Sequence, residues 1–222
     1  MVIGWRPAKA WSLIAALTLT TEVAAQVPSL PVLQNAFSGP GVAFAANVGG
    51  GSGHTFYGAA AAWGIGRSGV VSLSGAAGAE HANGETRGAY GGRLAARVWT
   101  SRGGTLGVGA FAGVGGAPRT HAESIVTNPA QTIVPLGATV GYRRAIGNAR
   151  GFAIYLSPFY LWTRSDSGEA VTSSTFRASA GLDFAFTPAI GVTLGGEFGG
   201  SQDGDARTGL IGGAVSFVPG RR

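Results

Sequence analysis

The 222-residue sequence predicts an all-β protein, folded as an antiparallel up-and-down transmembrane β-barrel of ten strands or, as the alternative, eight. Three observations support this prediction. After Gly41, hydrophobic residues recur with the period of a β-strand along nearly the whole chain. The connections between the predicted strands alternate between long and short. Charged residues make up only 12% of the chain, about half the usual share in soluble proteins.

Residues 1–25 are predicted to be a signal peptide. Arg6 and Lys9 give a positive start, the apolar run 10–20 follows, and small residues end at Ala25. The apolar run is shorter than the about 20 residues that a membrane-spanning helix needs, so an uncleaved anchor is the weaker alternative. The chain has no cysteine, so disulfide bonds do not hold the exported protein together.

Residues 26–40 are predicted to form a short periplasmic segment, and residues 41–222 the barrel. Ten segments alternate between apolar and small or polar residues. Each is about as long as the 9 to 11 residues with which a tilted strand crosses a bilayer, and longer than the about 5 to 6 typical of soluble proteins. They are 41–48, 57–65, 70–80, 87–98, 105–114, 132–143, 152–163, 175–186, 190–198 and 210–217.

The connections provide an independent test. Outer-membrane barrels have short periplasmic turns, longer external loops and, in single bacterial chains, an even number of strands. The odd-numbered connections are the longer and more acidic ones, and the even-numbered ones are short. The odd set is 49–54, 80–85, 116–130, 164–171 and 201–207, and the even set is 66–69, 101–104, 146–151 and 187–191. Both termini are therefore expected on the periplasmic side.

One short connection contains the spacing Gly64-x-Gly66-x-x-Gly69, which also occurs in dinucleotide-binding units. Such a unit needs an amphipathic helix after the glycines. Here the chain continues with the alternating segment 70–80, so these glycines are predicted to form a hairpin turn between the second and third strands.

Aromatic residues near the strand ends are predicted to lie at the membrane interfaces, where amphipathic rings prefer the headgroup level. They are Tyr57, Trp63, Tyr142, Tyr160, Trp162, Phe184, Phe186 and Phe217. Trp99 is an exception, because strict alternation places it on the same face as the arginines. It must lie where the pattern relaxes at the strand end, or a bulge must shift it.

The opposite faces of the strands contain charged residues that are predicted to point into the lumen: Glu80, Arg87, Arg93, Arg97, Arg143, Arg177, Asp183 and Glu197. Side chains nearly fill the interior of a barrel of about eight to ten strands, which favours a salt-bridged plug. The alternative is a narrow pore that prefers anions, as rings of arginine do in channels.

With its signal peptide, alternating connections and amphipathic strands, the chain resembles the small bacterial outer-membrane β-barrel proteins, in particular the OmpA-like transmembrane-domain superfamily. The resemblance implies an exported protein of the outer membrane that contacts the lipid bilayer and the insertion machinery. It implies no tether to the cell wall, because no peptidoglycan-binding domain follows the barrel. The chain departs from the family's C-terminal aromatic signal, since residues 218–222 follow Phe217.

No catalytic residue, cofactor or metal is predicted. Because some barrels of the group hydrolyse lipids, the alternative is a hydrolase that uses loop residues. The candidates are His81, beside Glu80 and near Glu85, and His121, near Glu123 and Ser124. No Gly-x-Ser-x-Gly nucleophile signature supports that site. The chain has no cysteine and no paired histidines at metal-ligand spacing. The arginines are scattered, so nucleic acid is not an expected partner.

The function predicted from the sequence is that of a monomeric, non-enzymatic integral barrel protein with a structural, surface-interaction or narrow-pore role. A secreted soluble β-sandwich that binds a ligand through its loops is the alternative from another class. The sequence names no external ligand.

Overall fold

A computed structural model describes residues 25–51, 53–66, 69–122, 125–146, 150–200 and 209–220. The predicted signal peptide lies outside this part of the chain, except for Ala25. The strands are β1 (Gly41–Gly51), β2 (His54–Ile65), β3 (Val71–Ala82), β4 (Glu85–Thr100), β5 (Leu106–Ala117), β6 (Thr120–Ala122), β7 (Ile125–Asn128), β8 (Ala130–Ile146), β9 (Arg150–Asp166), β10 (Ala170–Ala185), β11 (Ile190–Gly199) and β12 (Gly209–Phe217). The described residues contain no helix long and apolar enough to cross a bilayer.

Ten of these strands form one closed antiparallel barrel, in the order β1-β12-β11-β10-β9-β8-β5-β4-β3-β2. The barrel closes between the first and last strands, from the pair Phe44 and Phe217 to the pair Gly50 and Ile211. The prediction of ten strands is confirmed, and the alternatives of eight strands and of a soluble β-sandwich are wrong. The remaining strands, β6 and β7, form a small hairpin within the longest connection.

The barrel has two distinct ends. The connections that follow β1, β3, β5, β9 and β11 lie at one end, here called the long-loop end. The connections that follow β2, β4, β8 and β10 lie at the other, here called the short-turn end. Residues 38–40 lead into β1 at the short-turn end, beside the turn between β2 and β3.

The alternation of the sequence is seen directly in the burial of the strands. In β1, Val42, Phe44 and Val48 are about half exposed, whereas Ala43 and Asn47 are buried. The other barrel strands likewise expose large hydrophobic residues on their outer face, among them Leu73, Leu94, Leu136, Ile154, Leu156, Leu194 and Val215. An apolar surface that surrounds the whole barrel is far larger than the patches that soluble monomers expose, and it matches the hydrocarbon of a bilayer.

Trp99 points outward because a β-bulge interrupts strand β4. The pairing register with β5 shifts between Arg97 and Trp99, and the Trp99 side chain is 52% exposed. A bulge adds one residue to one strand, so the residues that follow it change faces. Of the two explanations that the sequence allowed, the bulge is therefore the one that places Trp99 on the lipid-facing side.

The glycine-rich connection 64–69 is a hairpin turn. Gly66 and Gly69 have φ values of 81° and 60°, a region that a side chain would disfavour. The Gly69 N–H donates a hydrogen bond of 3.3 Å to the Gly66 carbonyl, and strand β3 begins at Val71. The residues after the glycines form a strand and no helix, so this part of the chain is not a dinucleotide-binding unit. Residues 67 and 68 lie outside the described part.

Candidate functional site

The lumen of the barrel contains the chain's own N-terminal segment, residues 26–37, here called the lumen segment. Every residue of it is buried, and Val27 and Val32 have an exposed fraction of 0%. Its start contacts β5 near the long-loop end, and Phe37 lies beside Gly107 and Gly141 at the short-turn end. Residues 26–40 were expected on the periplasmic side. Residues 26–37 lie inside the barrel instead.

The glycines of the inner wall make room for the lumen segment. A Cβ atom built at Gly107 would lie 2.8 Å from a ring carbon of Phe37, and one at Gly195 would lie 2.7 Å from a methyl carbon of Leu33. Both distances are shorter than real Cβ contacts, so a side chain at either position would force Phe37 or Leu33 to move. The other wall glycines that contact the segment in this way include Gly49, Gly113, Gly141 and Gly212.

Large apolar side chains of the wall also pack on the lumen segment. Val32 forms a buried cluster with Ala95, Phe111 and Phe159. The rings of Phe111 and Phe159 lie 6.2 Å apart between centroids, with an interplanar angle of 57°. On the other side, Leu30 belongs to a second cluster with small residues of the wall. The segment and the barrel therefore share two buried clusters.

The wall satisfies the main-chain hydrogen bonds of the lumen segment, which has no strand partner of its own. The Val32 N–H donates to Glu197 Oε2 at 3.0 Å, and Arg93 Nη2 donates to the Leu33 carbonyl at 3.0 Å. Because an unpaired buried peptide group is costly, these bonds help to fix the segment in place. The Gln34 carbonyl accepts from two hydroxyl groups, Thr139 Oγ1 at 2.9 Å and Ser157 Oγ at 2.5 Å.

A charged cluster lies around Glu80 in the half of the lumen near the long-loop end. The Glu80 side chain is fully buried, and Arg87 Nε donates to its Oε2 atom at 2.6 Å. Ser29 of the lumen segment donates to Oε1, and His54 Nδ1 lies 3.6 Å from the same oxygen. The buried carboxylate thus holds the start of the segment against strands β2 to β4.

A second ion pair lies on the opposite wall, where Arg177 Nε is 2.6 Å from Glu197 Oε1. Toward the short-turn end, Asn35 Nδ2 donates to Asp183 Oδ2, and the Arg143 guanidinium lies 4.3 Å from the centre of the Phe37 ring. A cation over an aromatic ring in a desolvated site is attractive.

The structure thus brings the predicted lumen-facing charges together with the lumen segment. Seven of them are buried, and Arg97 is half-buried. Arg97 lines a narrow cavity of about 10 Å³ beside Gln34 and Asn35. The partners that the segment provides for these side chains could not be predicted from the strand pattern.

The predicted interface aromatics lie on the outer surface near the two ends of the strands. Five are about half exposed, namely Tyr57, Trp63, Tyr160, Phe186 and Phe217, and three are half-buried, namely Tyr142, Trp162 and Phe184. Neighbouring rings contact one another, as in the edge-to-face pair Phe184 and Phe186 with centroids 4.7 Å apart. Tyr90, Phe176 and Phe198 add exposed rings toward the long-loop end that the prediction left out.

A recess of about 80 Å³ opens above the lumen segment at the long-loop end. The start of the segment forms its floor, and Gln131, Thr163, Ser173 and Thr175 line it together with the Arg177–Glu197 pair. The lining also contains apolar residues, among them Leu30 and Leu161, and a cavity of this size has room for several water molecules. It could not be found from the sequence, because its floor exists only when the segment lies in the lumen.

In the longest connection, between β5 and β8, strands β6 and β7 pair as a small hairpin. Asn128 is buried and donates to the Ala82 carbonyl at 3.2 Å and to Thr120 Oγ1 at 3.0 Å. Arg87 reaches out of the lumen and donates to the carbonyl of Pro129 at 2.6 Å. The hairpin is therefore attached to the β3–β4 connection and, through Arg87, to the charged cluster around Glu80.

Of the residues of the alternative hydrolase site, His81 lies in the described part of the chain with its side chain. The ring of His81 is exposed, and its Nδ1 atom lies 3.1 Å from Thr86 Oγ1. The side chain of His121 and the residues Glu123 and Ser124 fall outside the described part of the chain. Within the described residues, no group of three or more His, Cys, Asp and Glu side chains could hold a metal ion.

A closed barrel with an apolar outer surface and a polar, charged lumen defines the class of this protein. It is a membrane-spanning β-barrel of the outer-membrane type, with transmembrane strands. Among solved structures, the chain is similar to the crystal structure of the outer membrane protein Omp33 of Acinetobacter baumannii. It is 14% identical to that protein, with a TM-score of 0.35, over 81% of this chain and 98% of that chain. No family model and no curated protein matches the chain. Its function therefore has to be inferred from its own lumen and loops.

Proposed function

We propose that the protein is a closed, non-enzymatic scaffold of the outer membrane, which holds its lumen shut with its own N-terminal segment and presents its long loops at the cell surface. In this proposal the signal peptide 1–25 is removed on export, and the insertion machinery places the monomeric barrel in the bilayer. The observation that supports the proposal most strongly is the burial of all residues from 26 to 37 within the barrel. Kinship with the OmpA-like group is part of the proposal and is supported by the sequence pattern.

The narrow pore is the second candidate function, and the contacts of the arginines weigh against it. A conducting filter needs charged groups that face water and exchange ions. In this lumen Arg87 and Arg177 are each paired with a carboxylate, and Arg93 donates to a main-chain carbonyl of the lumen segment. These arginines hold the wall and the segment together, which favours the closed barrel.

The surface-interaction part of the proposal concerns the recess above the lumen segment. Its lining combines hydroxyl and amide groups with the internally neutralised pair of Arg177 and Glu197. Pockets that bind small molecules are concave and contain a few well-placed polar groups of this kind. The β6–β7 hairpin at the same end supplies a further surface for an external partner.

Planar-bilayer recordings test the closed-barrel proposal. Purified protein that starts at Gln26 is expected to give no discrete conductance steps, because the segment fills the lumen. A chain that starts at Ser38 and so lacks the segment is expected to give steps that favour anions, because the wall arginines then face water. Discrete steps from the chain that starts at Gln26 would overturn the proposal, whether or not the shortened chain folds.

Release of fatty acid from phospholipid vesicles tests whether the protein is an enzyme. The folded protein is expected to release no fatty acid, and His81→Ala is expected to leave the result unchanged. If the intact protein hydrolyses the phospholipid and the His81→Ala variant does not, this part of the proposal is overturned and the hydrolase alternative is supported.

A further inference from the structure

The first residue after the predicted cleavage site lies at a fixed place inside the barrel. Gln26 is 3% exposed. Its main-chain carbonyl contacts the inner wall where the wall residues are Gly91 of β4 and Gly115 of β5, and a Cβ atom at either position would collide with it. A Cβ atom at Gly113 would lie 3.0 Å from the Gln26 Cβ. The wall thus confines this residue on the side of β4 and β5, and its other side lines the recess at the long-loop end.

A free N-terminal ammonium at this position would add a positive charge to a wall that already holds two arginines. Arg87 and Arg93 are buried on the same inner face of β4, on either side of Gly91. The carboxylates of Glu80 and Glu197 are each paired with an arginine. Burial of an ion without a counter-charge costs several kcal/mol. Gln26 shares the recess with Glu197, but that carboxylate is already paired with Arg177, so the position favours an N-terminus that has no charge.

Glutamine is a residue type that can remove this charge by itself when it is the first residue of a chain. Its α-amino nitrogen attacks the side-chain carbonyl carbon, so that one new C–N bond closes a five-membered lactam. The bond from that carbon to the side-chain nitrogen breaks, and the nitrogen leaves as ammonia. The product, pyroglutamate, keeps a neutral N–H donor and loses the ammonium. The reaction requires no oxidant, reductant or second substrate.

The environment of the Gln26 side chain is consistent with this product. Its Oε1 atom is buried and has no hydrogen-bond donor within the described residues. This oxygen remains in pyroglutamate as the lactam carbonyl, so its lack of a donor is the same for the open and the cyclised side chain. Ring closure shortens the reach of the side chain, and this change suits a position where Gly91, Gly113 and Gly115 lie close to Gln26.

We propose that Gln26, once removal of residues 1–25 has made it the N-terminus, is converted to pyroglutamate and occupies the lumen in that uncharged form. This inference rests on the export step of the proposed function. The cyclised terminus is the form in which the lumen segment is held most stably between β4 and β5.

Intact-mass spectrometry of the protein purified from its native membrane tests the inference. The expected mass is that of residues 26–222 less about 17 Da, the mass of ammonia, with a terminus that is blocked to Edman sequencing. A free Gln26 terminus would overturn the inference and leave the proposed export intact. A chain that retains residues 1–25, or one that starts at another residue, would overturn both.

A second measurement tests the role of the charge with one and the same sequence. The mature chain is refolded once with its free Gln26 amine and once after cyclisation in denaturant, and both are unfolded in urea in detergent micelles. The cyclised chain is expected to have the higher urea midpoint. Equal midpoints would show that the lumen tolerates a charged N-terminus beside Arg87 and Arg93, and would overturn the inference.

Discussion

The buried pair of Glu80 and Arg87 gives the most specific prediction about stability. Replacement of Glu80 by glutamine keeps the shape of the side chain and removes its charge. Glu80 is fully buried, with Arg87 Nε at 2.6 Å, and it also accepts from Ser29 of the lumen segment. The change therefore leaves the Arg87 guanidinium without its counter-ion and weakens one attachment of the segment.

The size of the effect follows from the contacts that remain. Removal of one partner of a buried ion pair costs about 3 to 5 kcal/mol of unfolding free energy. Arg87 still donates to the carbonyls of Pro118 and Pro129, at 3.1 and 2.6 Å, so we expect the lower end of that range. With an m value of about 2 kcal/mol/M in urea, a loss of about 3 kcal/mol lowers the urea midpoint by about 1.5 M.

The assay is urea unfolding of the refolded barrel in detergent micelles, followed by heat-modifiable migration in gels. Glu169→Gln is the matched control, because Glu169 is exposed in the connection between β9 and β10. The control is expected to change the unfolding free energy by less than about 0.5 kcal/mol. If Glu80→Gln shifts the midpoint no more than the control does, the assignment of Glu80 as a buried attachment point is refuted.

Three further predictions concern the wall, the outer surface and the loops. Gly91→Ala is expected to cost about 1 to 3 kcal/mol, because its new methyl group meets the main chain of the lumen segment. In urea unfolding, Gly88→Ala on the same strand is the control, because its methyl group meets open space. Equal losses of unfolding free energy in the two variants would contradict the contact between Gly91 and the lumen segment. Leu136→Arg on the outer face is expected to cost about 2 to 4 kcal/mol of folding in vesicles, and an unchanged yield of folded barrel would argue against a lipid-facing position. Asp166→Asn breaks the 2.5 Å ion pair with Arg119. Because both side chains are partly exposed, the expected loss of unfolding free energy is less than about 1 kcal/mol. A loss of several kcal/mol would show that this ion pair is far stronger than its exposure suggests.

The barrel itself could be predicted because its strands obey one simple period. Phe176, Ala178 and Leu182 of β10 alternate with Arg177 and other polar residues, and the structure puts the two sets on opposite faces. Trp99 could not be assigned in this way. Its orientation depends on a bulge, and a bulge depends on the pairing with the neighbouring strand, which a single segment does not encode.

The lumen segment could not be predicted from the period, but the sequence contains a signal for it. Phe56, Phe111, Tyr155 and Phe159 lie on the faces that alternation assigns to the lumen. Large apolar rings in a lumen need an apolar partner, and the hydrophobic residues of 26–37 supply one. The same segment explains many of the 40 glycines, which the strand pattern alone left without a clear role.

Residues 26–37 fill the lumen, and thiol labelling tests this position of the segment most directly. The chain has no cysteine, so a single substitution provides the only thiol. In detergent micelles, where both ends of the barrel face water, Val32→Cys is expected to resist a water-soluble maleimide until urea unfolds the protein. Thr187→Cys, in an exposed turn, is expected to react at once. If Val32→Cys in the folded barrel is labelled as fast as Thr187→Cys, residue 32 faces water and the segment does not fill the lumen.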